Sequence, residues 1–149
     1  MEKVTSGVFP VNVNQFEVNI GVGEEENWVT VAELEEVTVT IDNNTETWKS
    51  FANGGWESAL VTGKSAKIDI KGKRCVGDEG NDYIADKLLA NGQEAYVSAR
   101  LTVADGKCLT WDKMACAVAN AGTGGSATSV GALEATLTGH GKPALTEAE

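Results

Sequence analysis

Val37-Thr38-Val39-Thr40-Ile41 runs through Asp42-Asn43-Asn44 into Thr45-Glu46-Thr47-Trp48-Lys49-Ser50-Phe51-Ala52-Asn53-Gly54-Gly55-Trp56, and the chain returns as Lys64-Ser65-Ala66-Lys67-Ile68-Asp69-Ile70-Lys71. Val37, Val39 and Ile41 share one face of the first segment and Thr38 and Thr40 the other, the period-2 pattern of a half-buried strand. In the returning segment Ile68 and Ile70 oppose Lys67, Asp69 and Lys71 in the same way. Between them, Asp42 to Gly63 reads as neither a clean strand nor a short turn. Hairpin loops ordinarily have two to five residues, and an insertion of roughly twenty is functional or disordered. Two tryptophans and a phenylalanine argue against disorder, so these rings are expected to bury against something. If that something is another copy of the chain, the protein is an assembly subunit.

Outward from this stretch the chain reads mostly as strands. Gln15 to Ile20 alternates, with Phe16, Val18 and Ile20 on one side, and Trp28 to Val31 is short and apolar. Leu34 to Ile41, Trp56 to Val61 and Lys64 to Lys71 flank the insertion. Glu94 to Val103 is the clearest strand, with Ala95, Val97, Ala99, Leu101 and Val103 facing in. Asp105-Gly106 is a turn signal, and strands from Lys107 to about Ala119 and from Thr128 to Thr138 follow. One helix, Gly80 to Asn91, is expected after Gly77-Asp78-Glu79, capped by Asp78 or Asn81 and stopped at Asn91-Gly92. A β-rich domain with one helix covering a sheet is the α+β layout of a sandwich or half-barrel. The arm 1–14 and the tail 139–149 read as loosely held.

The chain of 149 residues fits one domain, 1–149, and a domain of this size buries roughly 70% of its unfolded surface without staples. Acidic residues outnumber basic ones 22 to 12, a formal charge of −10. That excludes tight binding to nucleic-acid phosphates, which depends on Lys and Arg releasing counterions. No apolar run approaches a membrane span, and Met1-Glu2-Lys3-Val4 lacks the basic-then-apolar start of a signal peptide. Cys75, Cys108 and Cys116 are odd in number and lack a close pairing spacing, which suits reduced thiols in a cytosol filling the core.

No constellation for catalysis, metal or cofactor is expected. His140, the only histidine, lies between two glycines. Asp78, Gly80 and Asp82 faintly resemble a calcium loop, but its twelfth position is Leu89, where a bidentate glutamate is needed. Gly122-Thr123-Gly124-Gly125-Ser126 lacks the Lys-Ser/Thr of a phosphate loop. The protein is therefore read as a non-enzyme.

Three ordered stretches carry a family resemblance. The first is Thr40-Ile41-Asp42-Asn43-Asn44 leading to Trp48. The second is Val61-Thr62-Gly63-Lys64-Ser65, then Lys71-Gly72-Lys73-Arg74, then Gly77-Asp78-Glu79-Gly80-Asn81-Asp82-Tyr83. The third is Val130-Gly131-Ala132-Leu133-Glu134, ending in Gly141-Lys142-Pro143. Together, over about Glu33 to Pro143, the chain resembles the tail tube (major tail) proteins of bacteriophages, of the short single-domain type.

The resemblance implies a mainly β, two-sheet β-sandwich or half-barrel with one flanking helix and a long inter-strand loop. It implies six copies in a ring, rings stacked into a hollow tube, and inner sheets joined into one barrel around a lumen through which DNA is delivered. Implied partners are further copies of the chain, the tape measure, tail terminator and baseplate or tip proteins, and viral DNA that passes without specific binding. Its implied place is the virion tail, assembled in the host cytoplasm. The stacking loop maps to Asp42 to Gly63, with Trp48, Phe51, Trp56 and Leu60 as inter-ring contacts. Two readings stand for Trp48, Phe51 and Trp56: inter-ring anchors, or plain core residues of a longer hairpin. Candidate lumen-facing acids are Glu33, Glu35, Asp69 and Glu134, for which outer-surface carboxylates are the alternative. The rival class is a carbohydrate-binding β-sandwich using Trp28, Trp48, Trp56 or Trp111 as sugar platforms. It accounts for the tryptophans but not for the acidic excess, the cysteines or the ordered motifs.

Overall fold

The computed structural model describes residues 3–147; the expected arm and tail also include residues 1–2 and 148–149, which lie outside that range. The described residues form eight strands: β1 (Gln15–Asn19), β2 (Trp28–Thr30), β3 (Leu34–Lys49), β4 (Glu57–Lys73), β5 (Tyr96–Thr102), β6 (Lys107–Ala121), β7 (Ala132–Gly139) and β8 (Ala144–Glu147). One α-helix, α1 (Glu79–Ala85), joins β4 to β5. The fold is mainly β with one helix, as the alternation implied. The expected pair of sheets is corrected, because all eight strands belong to one open antiparallel sheet. Its order is β2-β1-β5-β6-β7-β4-β3, with β8 also on β6.

The sheet curls around a single core. Val18 of β1, Ile68 and Ile70 of β4, Trp111, Met114 and Cys116 of β6, and Leu133 and Leu137 of β7 all belong to one buried cluster with Ile84 of α1. Residues of β1 and β5 line the same groove as residues of β3, from the opposite end of the strand order. The two ends of the sheet therefore approach without pairing, and a seam is left open between them.

The long inter-strand loop is also corrected. Asp42 to Lys49 and Glu57 to Gly63 extend β3 and β4 into one continuous hairpin, paired from Leu34↔Gly72 to Lys49↔Glu57. Only Ser50 to Trp56 remains irregular, holding the 3-10 turn Phe51–Asn53 closed by Gly54 in the left-handed region. The alternation that marks a strand in sequence requires one buried face. Beyond Ile41 nearly every hairpin residue is exposed on both faces, so the pairing persists while the pattern that reports it disappears.

The helix is shorter than expected. Asp78 is its N-cap, with its carboxylate accepting from the Asn81 N–H at 2.9 Å, but it ends at Ala85. Bonds of i→i−3 type, Lys87 N–H to Ile84 O and Leu88 N–H to Ala85 O, replace the α pattern. Leu89 points into solvent, so the apolar stripe that would have extended the helix has nothing to cover. The strand expected from Glu94 starts at Tyr96, after a 3-10 turn over Gly92–Ala95. The turn at Asp105-Gly106 forms as read, with the Gly106 N–H bonded to Val103 O.

Both ends are held within the described residues. The Val4 N–H donates to Ala104 O at 2.8 Å, and Asn14 Oδ1 accepts from the Ala104 N–H at 2.9 Å. The tail pairs as β8 along Lys107 to Thr110 of β6.

Candidate functional site: a projecting hairpin and an open seam

Among the described residues β4 pairs with β7 only over Lys67 to Lys73, and β3 has no partner besides β4. The hairpin half from Asp42 to Lys64 thus leaves the sheet as a two-stranded ribbon. A bulge at Thr62, opposite the Asn44–Thr45 step, shifts the register. It is fastened from both sides: the Asn44 Nδ2 donates to Thr62 Oγ1 at 3.0 Å, and the Thr62 hydroxyl donates to Asn44 O at 3.1 Å. Lys64 and Asn43 join across the ribbon by their side chains, as do Asn53 and Ser58 at the tip.

The structure brings all four predicted contact residues onto this ribbon. Glu46↔Leu60 and Trp48↔Ser58 are register partners, so Trp48 and Leu60 share a face as diagonal neighbours. Phe51 and Trp56 bracket the tip. Phe51 is 105% exposed and Trp56 80%, with Leu60 at 59% and Trp48 at 48%. The core reading of these aromatics is overturned, since none contributes to the buried cluster.

At the opposite end of β3 the open seam forms a groove of about 360 Å³. Val11, Phe16, Val31, Leu34, Val37 and Leu101 supply its apolar wall, and Glu35 and Glu36 stand at its rim. Sequence reading missed it. The wall is assembled from four separate segments, and of the arm's apolar run Val8-Phe9-Pro10-Val11 only Val11 lines it, while Val8 is fully exposed.

The four acidic candidates do not form one cluster. Asp69 and Glu134 lie on the solvent side of the β4–β7 pair, where Lys71 is opposite Glu134 and Asp69 opposite Thr136. The Thr136 hydroxyl donates to Asp69 Oδ1 at 2.8 Å, and Lys67 lies 4.0 Å from the same carboxylate. Glu36 adjoins Lys71 across the β3–β4 pair. This face is therefore mixed in charge, and threonines and alanines (Thr38, Ala117, Thr136, Thr138) occupy much of the rest of it. Glu35 is bound to Lys73 at 2.7 Å. Glu33 sits at the turn into β3 with φ of 61°, where its carbonyl accepts from the Lys73 N–H at 2.8 Å.

The other side chains weighed in sequence occupy structural places. Trp111 is buried in the core, and the Arg100 guanidinium covers the Trp28 ring at 4.5 Å from its centroid, so only Trp48 and Trp56 remain as exposed platforms. Burial pushes the Cys116 thiol up to about 11, against a small opposing effect of Lys87, and raises Tyr83 as well, with Cys116 adding to that shift. These shifts arise from desolvation within the core. Among the described residues no group of three or more His, Cys, Asp and Glu is arranged to hold a metal ion.

Solved structures share this architecture along its whole length. A chain from the tail of an empty gene transfer agent particle, refined with helical and C6 symmetry, superposes with a TM-score of 0.68 at 17% identity, over 95% of this chain and 100% of that one. The sheath/tube terminator structure of an extracellular contractile injection system (PVC) gives 0.63 at 12% identity, over 96% and 99%. The chain has a tail-tube fold. The tube-terminating cap of the anti-feeding prophage gives 0.62 at 10% identity, over 98% and 97%. No protein-family model matches the chain, and no curated protein matches it in sequence. The likeness therefore lies in the tail-tube fold itself.

Proposed function

We propose that this chain is a structural subunit of a phage-like tail, in which copies join into six-membered rings and the rings stack into a hollow tube. The observation that carries the proposal is the projecting hairpin, a hydrogen-bonded ribbon whose aromatic tip is left exposed among the described residues. Exposed aromatics in a rigid setting are the residue types that anchor protein interfaces. The tail-tube fold, shared with a chain from a particle tail refined with C6 symmetry, supports this assembly by analogy of fold. Free sheet edges support ring formation. β3 carries an unpaired edge along its length, and an unpaired edge templates another strand. Heterologous contacts of that kind close into rings or run on as filaments.

In this proposal the hairpin is the stacking element through Trp48, Phe51, Trp56 and Leu60, and the outer face carrying Asp69 and Glu134 lines the channel. A wall of small neutral side chains with interleaved charges, on a chain of net charge −10, gives DNA phosphates no basic patch to adhere to. Tape measure, terminator and baseplate proteins are the proposed further partners, and the subunit has no catalytic role.

Light scattering and negative-stain microscopy of the purified chain test this reading. Rings or tubes with a central channel are expected, with six-fold averages end-on. A folded chain that stays monomeric at millimolar concentration, at both low and high salt, overturns it.

A further inference from the structure

We propose that Asn91 is a self-modifying site, at which the backbone nitrogen of Gly92 attacks the Asn91 carboxamide and converts the residue through a cyclic imide to aspartate and isoaspartate. The reaction is intramolecular and independent of assembly.

The chain carries the same three residues twice, Ala52-Asn53-Gly54 and Ala90-Asn91-Gly92. Glycine has no Cβ to hinder an approach to its backbone, so the local sequence marks both asparagines alike. The structure separates them. The Gly92 N–H donates to Asn91 Oδ1 at 3.0 Å, which stands the nitrogen against the carboxamide it attacks. Reacting atoms held ~3–3.5 Å apart are in near-attack geometry. Asn91 and Gly92 are both exposed. A side chain built on Gly92 would meet nothing within 4 Å, so the ring has room to close and water has room to open it.

At Asn53 both reactants are held elsewhere. The Gly54 N–H donates to Phe51 O at 3.0 Å, and Asn53 Nδ2 donates to the Ser58 hydroxyl across the hairpin. Asp105-Gly106, the corresponding aspartyl step, is occupied in the same way. Its Gly106 N–H donates to Val103 O at 2.9 Å, and the Asp105 carboxylate accepts from the Lys107 N–H at 3.0 Å.

In the reaction Gly92 N loses its proton to solvent base and forms a bond to Asn91 Cγ. The Cγ–Nδ2 bond breaks, and Nδ2 takes up a proton and leaves as ammonia. Water then opens the imide. Cleavage of the Gly92 N–Cγ bond gives aspartate, and cleavage of the bond from Gly92 N to the Asn91 main-chain carbonyl carbon gives isoaspartate. Each event adds one negative charge to the formal −10 of the chain. Asn91 is the N-cap of the 3-10 turn Gly92–Ala95 that opens β5. The aspartyl product keeps an oxygen for the Gly92 N–H. The isoaspartyl product runs the backbone through Cγ and loses that cap.

Peptide mapping by mass spectrometry tests the site, with folded and urea-unfolded chain incubated side by side at mildly alkaline pH. In the folded chain Asn91 is expected to convert at least about tenfold faster than Asn53, because a misplacement of about 1 Å already costs up to 10²-fold. In urea the two should convert at equal rates, since their local sequences match. Asn91→Gln, which would need a larger ring, should remove the conversion at this position. Equal rates at the two positions of the folded chain overturn the proposal. So does an Asn91 that stays intact in the folded chain while both convert in urea. A preference for Asn91 that persists unchanged in urea also overturns it, because the selectivity would then lie outside the fold.

Discussion

The Arg74 guanidinium donates to the Asn81 carboxamide oxygen at 2.8 Å, and Asn81 is fully buried. The same oxygen accepts from the Cys75 N–H at 3.0 Å, while Nδ2 donates to Ala32 O at 3.0 Å and Lys73 O at 2.9 Å. One side chain thus ties α1 to the end of β4 and to the β2–β3 link, which forms the groove wall at Val31 and Leu34.

Asn81→Ala should therefore be among the most destabilising single substitutions in the chain. It removes the partners of three backbone groups, and leaving a buried polar group unpaired costs about 1–3 kcal/mol. A loss of about 3 kcal/mol, with a fall of ~10 °C in Tm, is expected from urea and thermal unfolding. A loss below about 1 kcal/mol would mean that water replaces the carboxamide.

Glu33 and Gly72 should respond in opposite directions. Glu33 has φ of 61°, a left-handed conformation costing an L-residue about 1–2 kcal/mol. Glu33→Gly relieves this strain and loses part of the gain to chain entropy, so a net stabilisation of about 0.5 kcal/mol is expected. A Cβ at Gly72 would lie 2.2 Å from Glu33 O and 2.6 Å from Leu34 Cα, both backbone atoms. Gly72→Ala should cost about 3 kcal/mol, as overpacking does where nothing yields. Paired urea melts measure both.

The inward faces of this fold are legible in the sequence because burial writes them there. Phe16 and Val18, Ile68 and Ile70, Val97, Ala99 and Leu101, and Leu133 and Leu137 all alternate with solvent-facing residues, and all are buried. The same rule explains what was not legible. The outer half of the hairpin is paired but unburied, so Thr45 to Trp48 read as a loop. β8 pairs through its backbone with all four side chains exposed, so it read as a tail. The pair of sheets came from the resemblance, whereas alternation specifies which face is buried but not which strands join, and here β5 and β6 connect both ends into one sheet. Trp48, Phe51, Trp56 and Leu60 were singled out by the resemblance together with the aromatic content of the segment, and the structure leaves all four exposed on the ribbon. The groove depends on where Val11 meets Leu34 in space, which no local pattern encodes.

Stability should decline with alkaline pH through Cys116. Its folded pKa is raised from 9.0 to about 11 by burial, so the folded state keeps a proton that the unfolded state gives up. The sign follows from linkage: stability is fully present below pH 9 and is lost as pH rises from 9 to 11. Tyr83, shifted upward from 10.0, adds to the loss above pH 10. Cys116→Ala should flatten the fall of Tm between pH 9 and 11, and Tyr83→Phe should flatten it only at the alkaline end. An unchanged slope in Cys116→Ala would show that other groups set the alkaline limit.

Salt should favour assembly. With a net charge of −10 on each copy, stacking brings like charges together, and screening shortens their reach from about 10 Å at 0.1 M to about 3 Å at 1 M. Light scattering should show a lower assembly threshold in 1 M NaCl. Tubes that dissolve in 1 M salt would instead mean that ion pairs between copies outweigh the overall repulsion.

The hairpin tip should separate folding from assembly. Phe51 and Trp56 touch no part of the core, so Phe51→Ser and Trp56→Ser should each change unfolding stability by less than about 0.5 kcal/mol, the range of surface substitutions. Fully burying one such ring contributes about 1.5–3 kcal/mol, and each subunit of a stack makes the contact, so the same changes should prevent tubes from forming. Replacing Lys49 to Glu57 with a short Gly-Ser link should act alike, because changing loop length by a factor of two alters closure entropy by only about 0.6 kcal/mol. Circular dichroism melts and electron microscopy of the same samples read the two effects separately. A normal melt without tubes is the expected outcome. A normal melt with normal tubes would remove the tip from stacking. Loss of the cooperative melt would show that the ribbon, although exposed along its length, is needed to hold β3 and β4 in the sheet.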